Sequence, residues 1–342
     1  MSRYSASFRS FPLQFKKPAG TSRGYLNTKP SWILSIIDNE KQIEGFGECS
    51  IIPGLSIDKI DDIEPELQVV CDRINSSKDL QIPENQLDNF PAIKFAFETA
   101  AHDLKGGGKR KLFDNSFSRG EKGIQINGLI WMGDADDMYL QAKQKIESGF
   151  NCIKFKIGAL DFEKELELIR RVRTDFGSEI EIRLDANGAF LHQEALLKID
   201  KLSEFNIHSI EQPIKPGKWS SMAKICKESP IPIALDEELI GVIGPDQQIA
   251  LLQEIKPDYI ILKPSLLGGL SKSDEWIKIA EENNIGWWAT SALESNLGLN
   301  AIAQWVANKN TIMPQGLGTG SLYIQNYPLN LEIKMGQLWF KG

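Results

Sequence analysis

The sequence is poor in the residues that build zinc sites and disulfide scaffolds. Its 342 residues include only three histidines, which share no ligand spacing. The four cysteines are far apart in the chain and form no CxxC pair: Cys49, Cys71, Cys152 and Cys226. We therefore expect buried, reduced thiols, and neither a disulfide framework nor a zinc site.

Long apolar runs and excess positive charge are also missing. No stretch approaches the 18 or so apolar residues of a membrane span, and the first thirty residues are polar, so we expect no signal peptide. The formal net charge of −7 argues against nucleic acid or an anionic membrane as the main partner. The sequence thus predicts a cytoplasmic globular protein, and leaves a homo-oligomer open.

The first third of the chain shows no regular alternation of strands and helices. The segment SWILSIID (31–38) predicts a strand, and GFGECSIIPGL (45–55) a loop punctuated by glycine. The segment PAIKFAFETAAHDL (91–104) predicts a helix that begins at Pro91 and carries an apolar stripe. Because 342 residues favour two domains, we expect a separate α+β domain over residues 1–120.

After residue 123, short apolar strands recur, each followed by a helical stretch. Polar residues near the carboxyl ends of these strands follow one another at intervals of 25 to 29: Asn127, Lys156, Asp185, Glu211, Asp236, Lys263 and Ser291. This period suits one strand–helix unit per repeat and predicts a (β/α) barrel, whose functional groups gather at the carboxyl ends of the strands. A doubly wound sheet is the alternative, but its glycine fingerprint is missing from the first turn.

Three carboxylates end consecutive predicted strands: Asp185, Glu211 and Asp236. In a closed barrel they would converge, and their mutual repulsion favours a bound divalent cation. Hard oxygen ligands without cysteine or histidine indicate Mg²⁺, with Mn²⁺ as a tolerated substitute.

Lysines flank these acids on both sides. Lys154 and Lys156 alternate along the strand in NCIKFKIGAL and so face the same way, and Lys263 ends a strand beyond the acids. A partly desolvated lysine beside another cation is expected to have a lowered pKa and to act as a base. Lysine bases with a metal suit abstraction of a proton next to a carboxylate, because the enediolate that forms needs cationic stabilisation. The predicted partner is a small-molecule carboxylate.

The motifs IKFKIG, RLDANG, SIEQP, ALDEEL and ILKPSLLGG resemble, in order, the strand-end motifs of the enolase superfamily, muconate-lactonizing subgroup. The resemblance implies a modified (β/α)7β TIM-type barrel over residues 121–320. It also implies an α+β capping domain built from residues 1–120 and 321–342. Enolase-superfamily sites pair a lysine or histidine base with Mg²⁺.

By resemblance, Lys156 removes the α-proton, Lys154 contacts the carboxylate, and Lys263 lies on the opposite face of the substrate. The three acids would bind Mg²⁺. Asn187 and Ser291 are expected to contact substrate. Because Glu237 follows Asp236 directly, strand alternation predicts that its side chain faces the other way, so we expect it to support the metal shell without coordinating the metal.

Within the subgroup, two segments resemble the o-succinylbenzoate synthase family: GFGECSIIPGLS and SALESNLGLNAIAQWVA. The implied reaction is dehydration of 2-succinyl-6-hydroxy-2,4-cyclohexadiene-1-carboxylate to 2-succinylbenzoate, a lyase step of menaquinone biosynthesis. Dipeptide epimerases typically carry a DxD motif near the eighth strand, where this chain has GLGTGSLY. An N-succinylamino acid racemase or dipeptide epimerase remains the alternative enzyme, and a non-catalytic barrel the alternative without activity. Three acids and three lysines argue against the latter, since a scaffold gains nothing from buried like charges.

Overall fold

The computed structural model describes residues 2–21, 24–77, 79–82, 85–309 and 311–341. Within these ranges no helix is both long and apolar enough to cross a bilayer. The N-terminal unit, as we call residues 4–105, contains five strands and two helices: β1 (Tyr4–Ser10), β2 (Leu13–Thr21), β3 (Gly24–Lys29), β4 (Ser31–Asp38), β5 (Ile43–Ser50), α1 (Ile60–Ser76) and α2 (Pro91–Lys105).

The N-terminal unit is built on an antiparallel sheet in the order β1-β4-β5. Apolar residues of β4 and β5 share one hydrophobic core with α1 and α2. The predicted strand 31–38 and the predicted helix that begins at Pro91 are both confirmed as β4 and α2.

The prediction of a loop over residues 45–55 was wrong for residues 45–50, which belong to strand β5, whereas residues 51–55 lie outside any helix or strand. The two glycines are there because α2 packs directly on the strand. A Cβ atom at Gly47 would lie 1.8 Å from the carbonyl oxygen of Ala96, and one at Gly45 would lie 2.3 Å from that of Ala100. Glycine therefore marks close backbone approach here and not a turn.

Strand β6 (Ile124–Gln125) follows the N-terminal unit, and the barrel begins after it. In the barrel each strand is followed by one or two helices: β7 (Gly128–Ile130), α3 (Ala135–Glu147), β8 (Cys152–Lys156), α4 (Phe162–Phe176), β9 (Glu181–Asp185), α5 (Ala195–Ser203), β10 (Ile207–Glu211), α6 (Trp219–Glu228), β11 (Ile233–Leu235), α7 (Pro245–Ile255), β12 (Tyr259–Leu262), α8 (Pro264–Leu267), α9 (Gly269–Glu282), β13 (Gly286–Ala289) and α10 (Asn296–Ala307). Two final strands, β14 (Leu331–Lys334) and β15 (Gln337–Phe340), form a hairpin.

Seven parallel strands form the barrel wall, in the order β7 to β13. The segment Gln315–Gly316 closes it, since Gln315 pairs with Ile126 on one side and Gly316 pairs with Thr290 on the other. One large hydrophobic cluster joins the strands to the surrounding helices. The predicted fold class, a modified (β/α)7β barrel with an added α+β unit, is confirmed.

Helix α4 shows how the sequence sets a barrel unit. The Asp161 side chain accepts a hydrogen bond from the Glu163 N–H and caps the helix, which ends before Gly177 at a φ of 73°. Leu166, Ile169 and Val172 are buried on the stripe facing the sheet. The cap at Asp161, the apolar spacing and the glycine at residue 177 thus determine where this helix begins, which face it buries and where it ends.

Carboxylates of the N-terminal unit bind the starts of two barrel helices. Glu98 of α2 accepts hydrogen bonds from the backbone N–H groups of Leu270 and Ser271 at the start of α9. Glu48 of β5 does the same at the start of α10. Anionic groups at helix N-termini are stabilised by the unpaired N–H groups there.

The last residues of the chain contact both parts. Segment 322–324 forms backbone hydrogen bonds with β2, whereas β15 pairs with β6. The division into residues 1–120 with 321–342, and 121–320, stays a prediction. All four cysteines are free, three of them buried and Cys226 partly buried.

Candidate active site

A cleft of about 820 Å³, counted out to its open mouth, lies at the carboxyl ends of the barrel strands. Seven charged and amide side chains line it: Asn127, Lys154, Lys156, Asp185, Asn187, Glu237 and Lys263. The strand register brings the predicted positions level, since Lys156 is paired with Asp185 and Asp185 with Glu211.

The predicted lysines and acids form a network of two separate sets of ion pairs. The Nζ atom of Lys154 lies 3.1 Å from Asp185 Oδ2 and 2.8 Å from Glu211 Oε2. The Nζ atom of Lys156 lies 3.0 Å from the same Asp185 oxygen. Lys263 forms an ion pair with Asp236. The structure therefore brings these six predicted residues together at one end of the barrel, with both groups of lysines turned inward.

The carboxyl groups of this network are buried, and their pKa values move apart. Burial alone would raise the pKa of Asp185, but the charges of Lys154 and Lys156 outweigh it and hold that pKa below its usual range. Burial, with the Asp185 charge, raises the pKa of Glu211 to about 8. Burial also raises the pKa of Asp236, against the opposing charge of Lys263. Burial therefore disfavours the charged forms of Glu211 and Asp236, whereas the adjacent lysines favour the charged form of Asp185.

The expected lowering of lysine pKa values was wrong for two residues. Burial by itself would lower the pKa of Lys154, but the charges of Asp185 and Glu211 raise it. The pKa of Lys263 is raised in the same way by Asp236 and Glu211, against the effect of burial. In the fold, the charges of the carboxylates act more strongly on these two lysines than those of the neighbouring cations do.

The donor set fits a hard divalent cation. Oε1 of Glu211 is buried with no hydrogen-bond partner in the described part of the chain, and the acids of the network supply the oxygen ligands that Mg²⁺ prefers. As the side chains stand, the described residues contain no group of three or more His, Cys, Asp and Glu close enough to hold one metal ion. The lysine ammonium groups lie against the carboxylate oxygens instead.

Asn187 links Lys156 to Glu237 through two hydrogen bonds. Its Oδ1 accepts a hydrogen bond of 2.7 Å from Lys156, and its Nδ2 donates one of 3.0 Å to Glu237 Oε1. Glu237 lines the cleft, although strand alternation predicted that it faces away. A 3₁₀ turn that begins at Glu237 ends the alternation directly after Asp236. The other oxygen of Glu237 is buried and has no partner within the described residues.

Apolar side chains also line the cleft, and we call them the apolar wall. The sequence did not predict most of them. The wall combines residues of the N-terminal unit, of β7 and of the segment after β13: Ile52, Leu55, Leu129, Trp131, Ala292 and Leu293. No sequence spacing links these segments, so only the fold reveals that they meet. Such a wall suits a hydrocarbon ring beside the polar groups.

Ser291, predicted to contact substrate, lines the cleft beside Thr319. The two hydroxyl oxygens are 2.6 Å apart, and the Ser291 N–H donates to the carbonyl oxygen of Gly316. Thr319 comes from the GLGTG segment, where a Cβ atom at Gly316 would collide with Thr290 at 2.3 Å. The glycine there lets the closing segment approach the end of β13.

Arg183 shares a strand face with Asp185 but does not line the cleft. It is buried towards the other end of the strand. There it donates to Glu181 and to the carbonyl oxygen of Pro314 and lies 4.3 Å from the ring centroid of Trp288. Arg183 therefore packs the barrel interior and does not take part in the site.

Comparisons with known proteins agree with this geometry. Residues 137–335, more than half of the chain, match the family described as "Enolase C-terminal domain-like". Over 99% of its length the chain is 46% identical to 99% of the o-succinylbenzoate synthase of Desulfotalea psychrophila. The chain belongs to the enolase superfamily, in the o-succinylbenzoate synthase family.

Two solved structures are similar to the whole chain. MenC from Desulfotalea psychrophila has a TM-score of 0.90 at 43% identity, and the match covers 99% of this chain and all of that one. The dipeptide epimerase of Cytophaga hutchinsonii, solved with Mg and D-Ala-L-Val, has a TM-score of 0.86 at 24% identity and covers 98% and 93%. The second likeness shows the shared fold.

Proposed function

We propose that this protein is a lyase that dehydrates 2-succinyl-6-hydroxy-2,4-cyclohexadiene-1-carboxylate to 2-succinylbenzoate. Membership of the o-succinylbenzoate synthase family supports the reaction. The observation that carries the mechanism is the network in which Lys154 and Lys156 share the Asp185 carboxylate beside Glu211. It joins a base to a charge-stabilising group within one cleft.

Lys156 is the proposed base. As a neutral amine it takes the proton from the ring carbon that bears the carboxylate, and the electron pair moves into the enediolate. The carbon–oxygen bond at the neighbouring ring carbon then breaks, and the hydroxyl group leaves with its electron pair. Lys156 returns the proton to that hydroxyl, so water departs and the ring becomes aromatic. Asn187 holds the Lys156 amine through the hydrogen bond of 2.7 Å.

Lys154 and Lys263 are the proposed cationic groups on two sides of the substrate. Strand β8, which carries Lys154 and Lys156, is separated in the sheet from β12, which precedes Lys263, by β9, β10 and β11. Their ammonium groups therefore enter the cleft from different parts of the wall. Lys154 would contact the substrate carboxylate, and Lys263 would stabilise the developing charge from the other face.

The predicted ligands of Mg²⁺, with Mn²⁺ as a substitute, are Asp185, Glu211 and Asp236. When bound, the cation would supply the Lewis acid that stabilises the enediolate. In this arrangement Lys154, Lys156 and Lys263 would have to release the carboxylate oxygens that they now contact. The unpartnered Glu211 oxygen and the raised pKa of Glu211 support the assignment.

The substrate is proposed to lie with its ring against the apolar wall and its carboxylate towards the lysines. Ser291 would contact it from the segment after β13. We also propose the cytoplasm as the compartment, because all four cysteines are free thiols.

An ultraviolet assay tests the proposal. Aromatic product should appear from the cyclohexadiene substrate, and EDTA should abolish its formation until Mg²⁺ is restored. Exchange of the α-proton of N-succinyl amino acids in D₂O measures the racemase alternative under the same conditions. Exchange without any dehydration would contradict the proposed reaction.

A further inference from the structure

The segment between β13 and α10 carries part of the cleft wall in an unusual backbone conformation. Ala292 and Leu293 line the cleft, and Leu293 has a φ of 61°. A leucine in the left-handed region is strained and persists only where the surroundings fix it. The wall at this point therefore depends on what holds the segment.

Partners from three other parts of the chain hold it. The Tyr323 hydroxyl donates to the carbonyl oxygen of Leu293, and the Ser265 hydroxyl donates to the Glu294 carboxylate. The third partner is Glu48 of β5, which belongs to the N-terminal unit and binds the segment where α10 begins.

The Glu48 carboxylate is fully buried and accepts four hydrogen bonds. Its Oε1 accepts from the Ser295 N–H at 2.9 Å and from the Ser31 hydroxyl at 3.1 Å. Its Oε2 accepts from the Gly298 N–H at 3.0 Å and from the Ser295 hydroxyl. Both oxygens therefore bind the first turn of α10, where backbone N–H groups lack partners within the helix.

A buried lysine offsets part of the negative charge around Glu48. Lys29 is fully buried and donates to the Ser50 hydroxyl. Its charge interacts with both Glu48 and Glu294, against the burial that lowers the pKa of Lys29. Lys29 and the N-terminus of α10 thus interact with the carboxylates of Glu48 and Glu294. These interactions connect the N-terminal unit to the segment after β13.

We propose that Glu48 is a positioning residue for the substrate cleft. From the N-terminal unit it fixes the start of α10, and through Ser295 and Glu294 it fixes the backbone of Leu293 and Ala292 against which the substrate packs. Glu48 lines no part of the cleft and is not proposed to touch substrate. The inference deepens the proposed function, on which its kinetic test rests.

Glu48→Gln is the informative substitution, because it keeps the size of the side chain. Its amide has one oxygen to accept with, and its NH₂ group must face N–H or O–H donors that the carboxylate now satisfies. Glu44→Gln is the matched control. Glu44 lies on the same strand and is exposed, and it accepts from the Ser35 hydroxyl within the N-terminal unit.

Two readouts are measured on full-length protein. Glu48→Gln should raise the KM for the cyclohexadiene substrate at least tenfold and change kcat less than threefold, since the reacting groups stay in place. Hydrogen–deuterium exchange should quicken at least tenfold in peptides covering residues 291–298. Glu44→Gln should leave KM, kcat and exchange within twofold of the unaltered protein.

A lowered Tm for Glu48→Gln with KM within twofold would overturn the proposal, since the residue would then support the fold alone. If that variant does not fold, Ser295→Ala removes the hydroxyl partner from the barrel side. It should raise KM about threefold, and an unchanged KM would again overturn the proposal. Absence of turnover in the unaltered protein would count against the proposed reaction instead, and the exchange rates would then decide the positioning role.

Discussion

Replacing Asp58 with asparagine is expected to stabilise the protein more at pH 8 than at pH 5. Asp58 is 5% exposed, and its Oδ1 accepts a hydrogen bond of 3.1 Å from the Ala92 N–H at the start of α2. Its Oδ2 is buried with no partner among the described residues. Burial raises the pKa of Asp58 to about 7.

The sign follows from proton linkage. The unfolded carboxyl group ionises near pH 4, so between about pH 4 and 7 the folded state holds a proton that the unfolded state has lost. The free energy of unfolding therefore falls as the pH rises through this window and stays low above it. Three pKa units correspond to about 4 kcal/mol in total, of which about 2 to 3 kcal/mol falls between pH 5 and pH 8. Asparagine mimics the protonated acid and removes this loss.

Urea denaturation at pH 5 and pH 8 measures the effect. The stability difference between Asp58→Asn and the unaltered protein should grow by about 2 to 3 kcal/mol between the two pH values. Glu179→Gln, which alters an exposed carboxylate, should show no comparable change. An equal difference for Asp58→Asn at both pH values would refute the reasoning.

Two further substitutions, Gly47→Ala and Arg183→Met, test contacts that stabilise the fold, and Gly244→Ala is the control for the first. Gly47→Ala places a Cβ atom 1.8 Å from the Ala96 carbonyl oxygen and should cost about 3 kcal/mol by thermal unfolding. Gly244→Ala meets no atom of the described chain within 4 Å, so a similar loss there would contradict the packing argument. Arg183→Met removes the hydrogen bonds to Glu181 and Pro314 and should cost about 2 kcal/mol. Since Arg183 does not line the cleft, a KM changed more than twofold would argue against its purely structural role.

The barrel and its charged centre could be predicted because both follow from a regular spacing in the sequence. Polar residues at intervals of 25 to 29 mark successive strand ends, and a closed barrel necessarily brings such ends together. The proximity of Lys156, Asp185 and Glu211 could therefore be predicted before any contact between them was known. The cap of α4 at Asp161 is also visible in the sequence, but for a different reason: a helix cap is a local signal.

What could not be predicted depends on contacts between distant segments. The glycines of β5 predicted a loop and not a strand, because nothing in the local sequence indicates that α2 packs on them. Glu237 was assigned the wrong direction because a 3₁₀ turn replaces the strand there. The predicted direction of the pKa shift was wrong for Lys154 and Lys263, because carboxylates from neighbouring strands raise the pKa of both.

The most direct test of the central claim measures the formation of 2-succinylbenzoate by Lys156→Ala beside the unaltered protein, with circular dichroism to verify the fold. Loss of a general base typically costs 10²- to 10⁴-fold in rate. We predict a fall of about 10³-fold in kcat with an unaltered spectrum and Tm within a few degrees. Turnover by Lys156→Ala at the rate of the unaltered protein would contradict the account.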